Sequence, residues 1–352
     1  MENKNLSLIE ETIKRIAENP TEVENYLMLG KIYVVNEELD LALGVYESLL
    51  NIEPLNVQAL INSGSIYFYK LDFSKAIDNY SRAAEIETDN FSVYFNLGNA
   101  YAEMGNFKQA LLNYNKALNL NPDNPAVYSA IGLLHQDQQD YVEAKVYYQK
   151  ALDLDSWNPE NYMNIACVFM KLNRYDDAAK FFVKNLELAP QDAKVALCCA
   201  NAYSAAEKFE LANEYFKKSI NLRPGYYQAH VCYAISLCEQ NNISMAMGFY
   251  KKAIVIEPQT VNAYSLLANL YLSEGNYKDA IDLYKKAIEL EPEASNNIVL
   301  LGNAYVMEDR LEEAILTYRK AIKLSPENDE IKLVYLEIAE ELVDRKLMKE
   351  SA

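Results

Sequence analysis

Residues 23–328 repeat with a gapless period of 34, giving nine copies in register. A recurring unit of that size is one supersecondary element, which cannot cover its own apolar face and must stack against the next copy. Each copy is numbered 1–34 from its start at 23, 57, 91, 125, 159, 193, 227, 261 and 295. Position 20 is then Ala in every copy, from Ala42 and Ala76 through to Ala314. Position 8 is always Gly or Ala, position 24 always Tyr or Phe, and position 32 is Pro in seven copies, with Thr88 and Ser156 the exceptions.

The spacing predicts two helices per copy. Positions 4, 7, 8 and 11 line one face of a first helix, and 20, 24 and 27 line one face of a second. Small residues at 8 and 20 let the axes approach, aromatics at 11 and 24 fill the space beside that contact, and Pro at 32 ends the second helix. Residues 1–22 read as a capping half-repeat, with Leu6, Ile9, Ile13 and Ile16 on its apolar face. Residues 329–352 read as a C-terminal capping helix and tail. There Ile331, Val334, Ile338 and Leu342 lie inward, and Glu337, Glu340, Glu341 and Asp344 lie elsewhere. The expected fold is all-α, with no strands.

A formal charge of −18 disfavours a surface that tracks phosphates, so no nucleic-acid partner is expected and a basic protein partner is the better match. No apolar run approaches the roughly 20 residues that cross a bilayer, and MENKNLSLIEE has no basic region leading into an apolar one. A cytoplasmic, non-membrane protein is expected. The five Cys are odd in number and show no CxxC, which suits a reducing compartment.

The segment YFNLGNAYAEMGNFKQALLNYNKALNLNPD, residues 94–123, resembles the tetratricopeptide repeat motif at nearly every signature position, and the resemblance extends over almost the whole chain. It implies a right-handed α-α superhelix whose first helices line a concave groove with positions 2, 5, 6, 9, 12 and 13. Those positions are mostly apolar or amide-bearing. Asn recurs at position 6 or 9 as Asn62, Asn96, Asn99, Asn164, Asn201, Asn269 and Asn303, and a side-chain amide can pair an extended peptide backbone without reading its sequence. Apolar groove residues gather toward the ends, with Phe68, Tyr69 and Phe95 at one and Val231, Ile235 and Met307 at the other. The family's carboxylate clamp needs Lys at position 5, and no copy has one, so a chaperone-tail receptor is not expected.

No Gly-rich phosphate loop, HExxH or GxSxG occurs, and no cofactor is expected. Cys167, Cys198, Cys232 and Cys238 fall on groove positions of neighbouring copies, about 10 Å apart and too far for shared ligation, so no metal is expected. His135 and His230 occupy packing positions. Trp157, in a turn, is expected to pack across that turn. The resulting expectation is a non-catalytic scaffold that binds an extended or helical peptide segment in the groove. The alternatives are a self-associating structural module and a targeting subunit of a separate enzyme.

Overall fold

A computed structural model describes residues 2–350, with side chains from 7 to 348; the Leu6 side chain expected on the first cap and the tail residues 351–352 lie outside the described residues. Every element among the described residues is an α-helix. The chain forms two compact units, divided between Arg174 and Tyr175.

The first unit holds α1 (Glu2–Glu18), α2 (Val23–Val35), α3 (Leu39–Ile52), α4 (Val57–Tyr69), α5 (Phe73–Ile86), α6 (Phe91–Glu103), α7 (Phe107–Leu120), α8 (Pro125–Asp137), α9 (Tyr141–Leu154) and α10 (Pro159–Lys171). The second holds α11 (Tyr175–Leu188), α12 (Ala193–Ala205), α13 (Phe209–Leu222), α14 (Tyr227–Glu239), α15 (Ile243–Ile256), α16 (Val261–Ser273), α17 (Tyr277–Leu290), α18 (Ser295–Met307), α19 (Leu311–Leu324) and α20 (Asp329–Glu350). Within each unit, consecutive helices pack as hairpins that stack on their neighbours.

The turn inside each copy is built the same way. Position 15 takes a left-handed φ in all nine copies, from Glu37 (62°) and Leu71 (61°) to Gly275 (77°) and Asp309 (61°). In the second copy the Leu71 amide donates to the Phe68 carbonyl, and the Asp72 amide reaches back to Tyr67, both at 2.9 Å. This is a Schellman closure, which satisfies carbonyls that the helix end leaves bare. Asp72 then caps the next helix by accepting from the Lys75 amide. Asn or Asp side chains cap every helix from α4 to α10, whereas α13 to α19 begin without such a bond.

Ala at position 20 is fully buried in every copy. Where position 8 is Gly, it meets the ring of the tyrosine at position 24 of its own copy. A methyl group on Gly98 would lie 2.4 Å from the Tyr114 ring, and one on Gly132 would lie 2.7 Å from that of Tyr148. Successive copies are also tied by hydrogen bonds. The position-4 phenols of Tyr26 and Tyr264 donate to the carbonyls of Pro20 and Pro258 at 3.0 and 3.1 Å. His230, at the same position, places Nε2 2.9 Å from the Pro224 carbonyl. A carbonyl only accepts, so Nε2 carries the proton. His230 thus takes the place of a tyrosine.

Three details differ from the sequence-based expectation. In α1 the buried partner of Ile9 is Thr12, whose hydroxyl is satisfied by the Leu8 carbonyl at 2.7 Å, while Ile13 is 47% exposed. Trp157 is 81% exposed and does not pack across its turn. In α20, Ile331, Val334, Ile338 and Leu342 pack inward, but Leu333, Leu336, Val343 and Leu347 stand exposed among the carboxylates.

Candidate functional site

In three hairpins the second helix orients an amide of the first. At 2.8 Å the Tyr114 phenol donates to Oδ1 of Asn99, and the phenols of Tyr284 and Tyr318 reach Asn269 and Asn303 at 2.5 Å. These pairs all join position 24 to position 9. In the second copy, position 9 is Ser65, and its hydroxyl lies 3.0 Å from that of Tyr80. Where position 9 is apolar, at Leu133 and Ile235, the phenol turns to position 12 instead: Tyr148 reaches Gln136 at 3.5 Å, and Tyr250 lies beside the Cys238 thiol. Where position 24 is Phe216, no phenol serves Asn201, and this amide lies beside the Cys232 thiol. Burial pushes the Tyr284 and Tyr318 phenols up to about 12, so they remain neutral donors at neutral pH.

With Oδ1 engaged, the Asn99, Asn269 and Asn303 side chains have their NH2 groups left to offer. Asn96 and Asn164 are half-buried on α6 and α10. Phe68 packs edge-to-face on Phe73 with centroids 5.4 Å apart, and Phe95 stacks on Phe91 at 5.9 Å, so both rings belong to the hairpin packing. Val231 is buried in the second unit's core and presents no groove surface.

Asn62 and Tyr69 do come together. They line a cleft of about 780 Å³ between α2 and α4, walled by Val34, Val35, Leu39 and Ile66, floored by Tyr46, and rimmed by Lys31 and Glu37. Val35 and Tyr69 are each 75% exposed. Asn62 Oδ1 accepts from Gln58 at 3.0 Å, while its buried Nδ2 lies beside the Tyr46 phenol without a well-formed hydrogen bond. Tyr46, Ser65 and Ile66 were absent from the sequence-based site. Ser65 sits at a groove position, but Tyr46 belongs to the packing pattern and Ile66, at position 10, to neither set, so these two carried no signal.

Two polar clamps between first helices also escaped the sequence reading. Buried Asn161 donates to the Asp155 carbonyl at 2.9 Å and accepts from Ser129 at 3.2 Å, and Asn297 accepts from Ser265 at 2.8 Å. Ser at position 5 followed by Asn at position 3 of the next copy is the legible trace of this bond. The cysteines are buried or half-buried thiols. Burial raises Cys167, Cys232 and Cys238 above the ordinary thiol value and takes Cys199 up to about 12. Among the described residues no group of three or more His, Cys, Asp or Glu is arranged to hold a metal ion, and no helix is long and apolar enough to cross a membrane.

Hairpins of two helices, an invariant buried Ala and an aromatic over a small residue are the structural content of one repeat family, and comparison decides the matter. The family model of the cilia and flagella-associated protein 70 C-terminal domain, a tetratricopeptide repeat domain, matches residues 3–223, more than half of the chain, and tetratricopeptide repeat models match residues 261–293 and 302–332. The chain belongs to this tetratricopeptide repeat family. No curated protein matches it. Among solved structures it is similar to the C-terminal part of a tetratricopeptide repeat-containing protein from Cytophaga hutchinsonii. That match has 18% identity and a TM-score of 0.59, over 68% of this chain and 99% of that one. A tetratricopeptide repeat protein from Parabacteroides merdae aligns with 22% identity and a TM-score of 0.51, over 71% of this chain and 98% of that one. PilF of Pseudomonas aeruginosa aligns with 21% identity and a TM-score of 0.50, over 59% and 94%. At such identities these likenesses concern the fold.

Proposed function

We propose that the chain is a protein–protein interaction scaffold, and that the cleft between α2 and α4 holds an extended segment of another polypeptide. An apolar side chain of the guest sits between Val35 and Tyr69, beside the Asn62 amide. The exposed apolar pair Val35 and Tyr69 at a cleft of about 780 Å³ carries this reading. An apolar guest side chain removes both from water. Residues 23–328 act as the nine binding copies, with the flanking helices as end caps. The net charge of −18 favours a basic partner, and five free thiols suit a reducing, cytoplasmic setting. Binding is assigned to the chain, and no chemical step.

Photocrosslinking tests this directly. A photoreactive phenylalanine analogue replaces Tyr69, and a library of extended peptides with one central apolar residue is presented to the full chain. Crosslinked peptides should lose at least tenfold in affinity for a Val35→Asp chain. Peptides that crosslink equally well at an exposed control position such as Trp157, or that ignore Val35→Asp, would refute the cleft assignment.

A further inference from the structure

The final helix is apolar on two sides. One side closes the core of the second unit through Ile331, Val334, Ile338 and Leu342. On the opposite side Leu333, Leu336, Val343 and Leu347 are 61, 54, 56 and 58% exposed. Their spacing is that of a coiled-coil seam, with Glu340 occupying the one seam position between Leu336 and Val343. An exposed apolar stripe, interrupted only by Glu340, is the kind of surface that marks an interaction site. Beside the stripe stand Glu337 and Asp344 on one edge and Lys332 and Lys346 on the other. The lysines are already held, by Asp329 at 2.8 Å and Glu312 at 2.9 Å, and Arg345 by Asp309 and Glu341. Among the described residues no cation pairs with Glu337, Glu340 or Asp344.

We propose that α20 docks a basic amphipathic helix of another protein. The partner's apolar stripe packs on Leu333, Leu336, Val343 and Leu347, and its Lys or Arg flank neutralises Glu337, Glu340 and Asp344. A second copy of this chain is the wrong occupant on charge. In a parallel pair the seam residue Glu340 faces itself, and in an antiparallel pair the Glu337 and Asp344 edges face each other. The surface is separate from the α2/α4 cleft, and neither assignment depends on the other.

Two designed three-heptad peptides serve as probes, both with Leu along the seam, one flanked by Lys and the other by Glu. Fluorescence anisotropy with the full chain should show the Lys-flanked peptide binding at least tenfold more tightly. A chain carrying Glu337→Lys, Glu340→Lys and Asp344→Lys should reverse that preference, and Leu336→Asp with Val343→Asp should abolish binding of both. The altered side chains are exposed, and circular dichroism is used to check that each variant stays folded. Should the reversal chain prove unfolded, the preference of the unaltered chain still decides. Equal binding of both peptides, binding of neither, or a doubled mass for the chain alone in sedimentation equilibrium would each overturn the proposal.

Discussion

The Tyr114 phenol donates to Asn99 Oδ1 across the two helices of one hairpin, so that a packing residue fixes the direction of a groove amide. The same relation joins Tyr284 to Asn269 and Tyr318 to Asn303. Two recurring features of the repeat, the packing aromatic of the second helix and the polar amide of the first, are therefore coupled.

That coupling is measurable by a double-mutant cycle on Tyr114→Phe and Asn99→Ala. A net intramolecular hydrogen bond contributes about 0.5–1.5 kcal/mol, and the coupling energy from urea denaturation should fall in that range. Additive effects of the two substitutions would show that the bond contributes nothing.

Leu71 holds a left-handed φ of 61° while being 74% exposed. A side chain in that region costs about 1–2 kcal/mol, and glycine gives back part of the gain through its greater freedom in the unfolded chain. Leu71→Gly should stabilise the protein by about 0.5–1 kcal/mol, with the mirror substitution Gly105→Leu destabilising it. Thermal melts of the two variants check the pair, and a fall in Tm for Leu71→Gly would contradict the strain.

Asn161 is buried and bonded to both Ser129 and the Asp155 carbonyl. Replacing it by Val, the residue at this position in three other copies, strands the Ser129 hydroxyl and should cost about 1–3 kcal/mol. Adding Ser129→Ala removes the stranded group and should recover part of that loss. A double variant less stable than Asn161→Val in denaturant titration would rule this out.

Alkaline pH should loosen the fold through its phenols. The folded-state values of Tyr284 and Tyr318 are raised to about 12 from an ordinary 10.0, and Tyr46 and Tyr80 are raised as well. The unfolded chain therefore releases these protons first. The associated stability is fully present below pH 10 and is lost as pH climbs from 10 toward 12. Tm followed together with tyrosinate absorbance should fall within that window, and a flat Tm would exclude the linkage.

The fold was legible because the residues that set it recur. Ala at 20, Gly or Ala at 8 and an aromatic at 24 name one hairpin, and the period states how hairpins follow one another. The destination of the tyrosine hydroxyls was less plain, since the bonded residues lie 15 apart on different helices and the partner shifts from position 9 to position 12 at Leu133 and Ile235. Position 15 announced its left-handed turn at Gly105, Asn173, Asn241, Gly275 and Asp309, but Glu37, Leu71, Gln139 and Glu207 hid it, because tertiary closure overrides their local preference. In the candidate cleft, Asn62 and Tyr69 were readable from their groove positions. Exposure separates Tyr69 from its neighbour Phe68, whose ring Phe73 covers, and composition alone does not distinguish the two.

The engaged oxygens of Asn99, Asn269 and Asn303 bear on what kind of chain could travel along these helices. Each keeps both amide hydrogens on offer but only one of its oxygen's two lone pairs, so a visitor held there would be taken by its C=O groups more readily than by its N–H groups. Proline or an N-methylated residue would pass these registers at little loss.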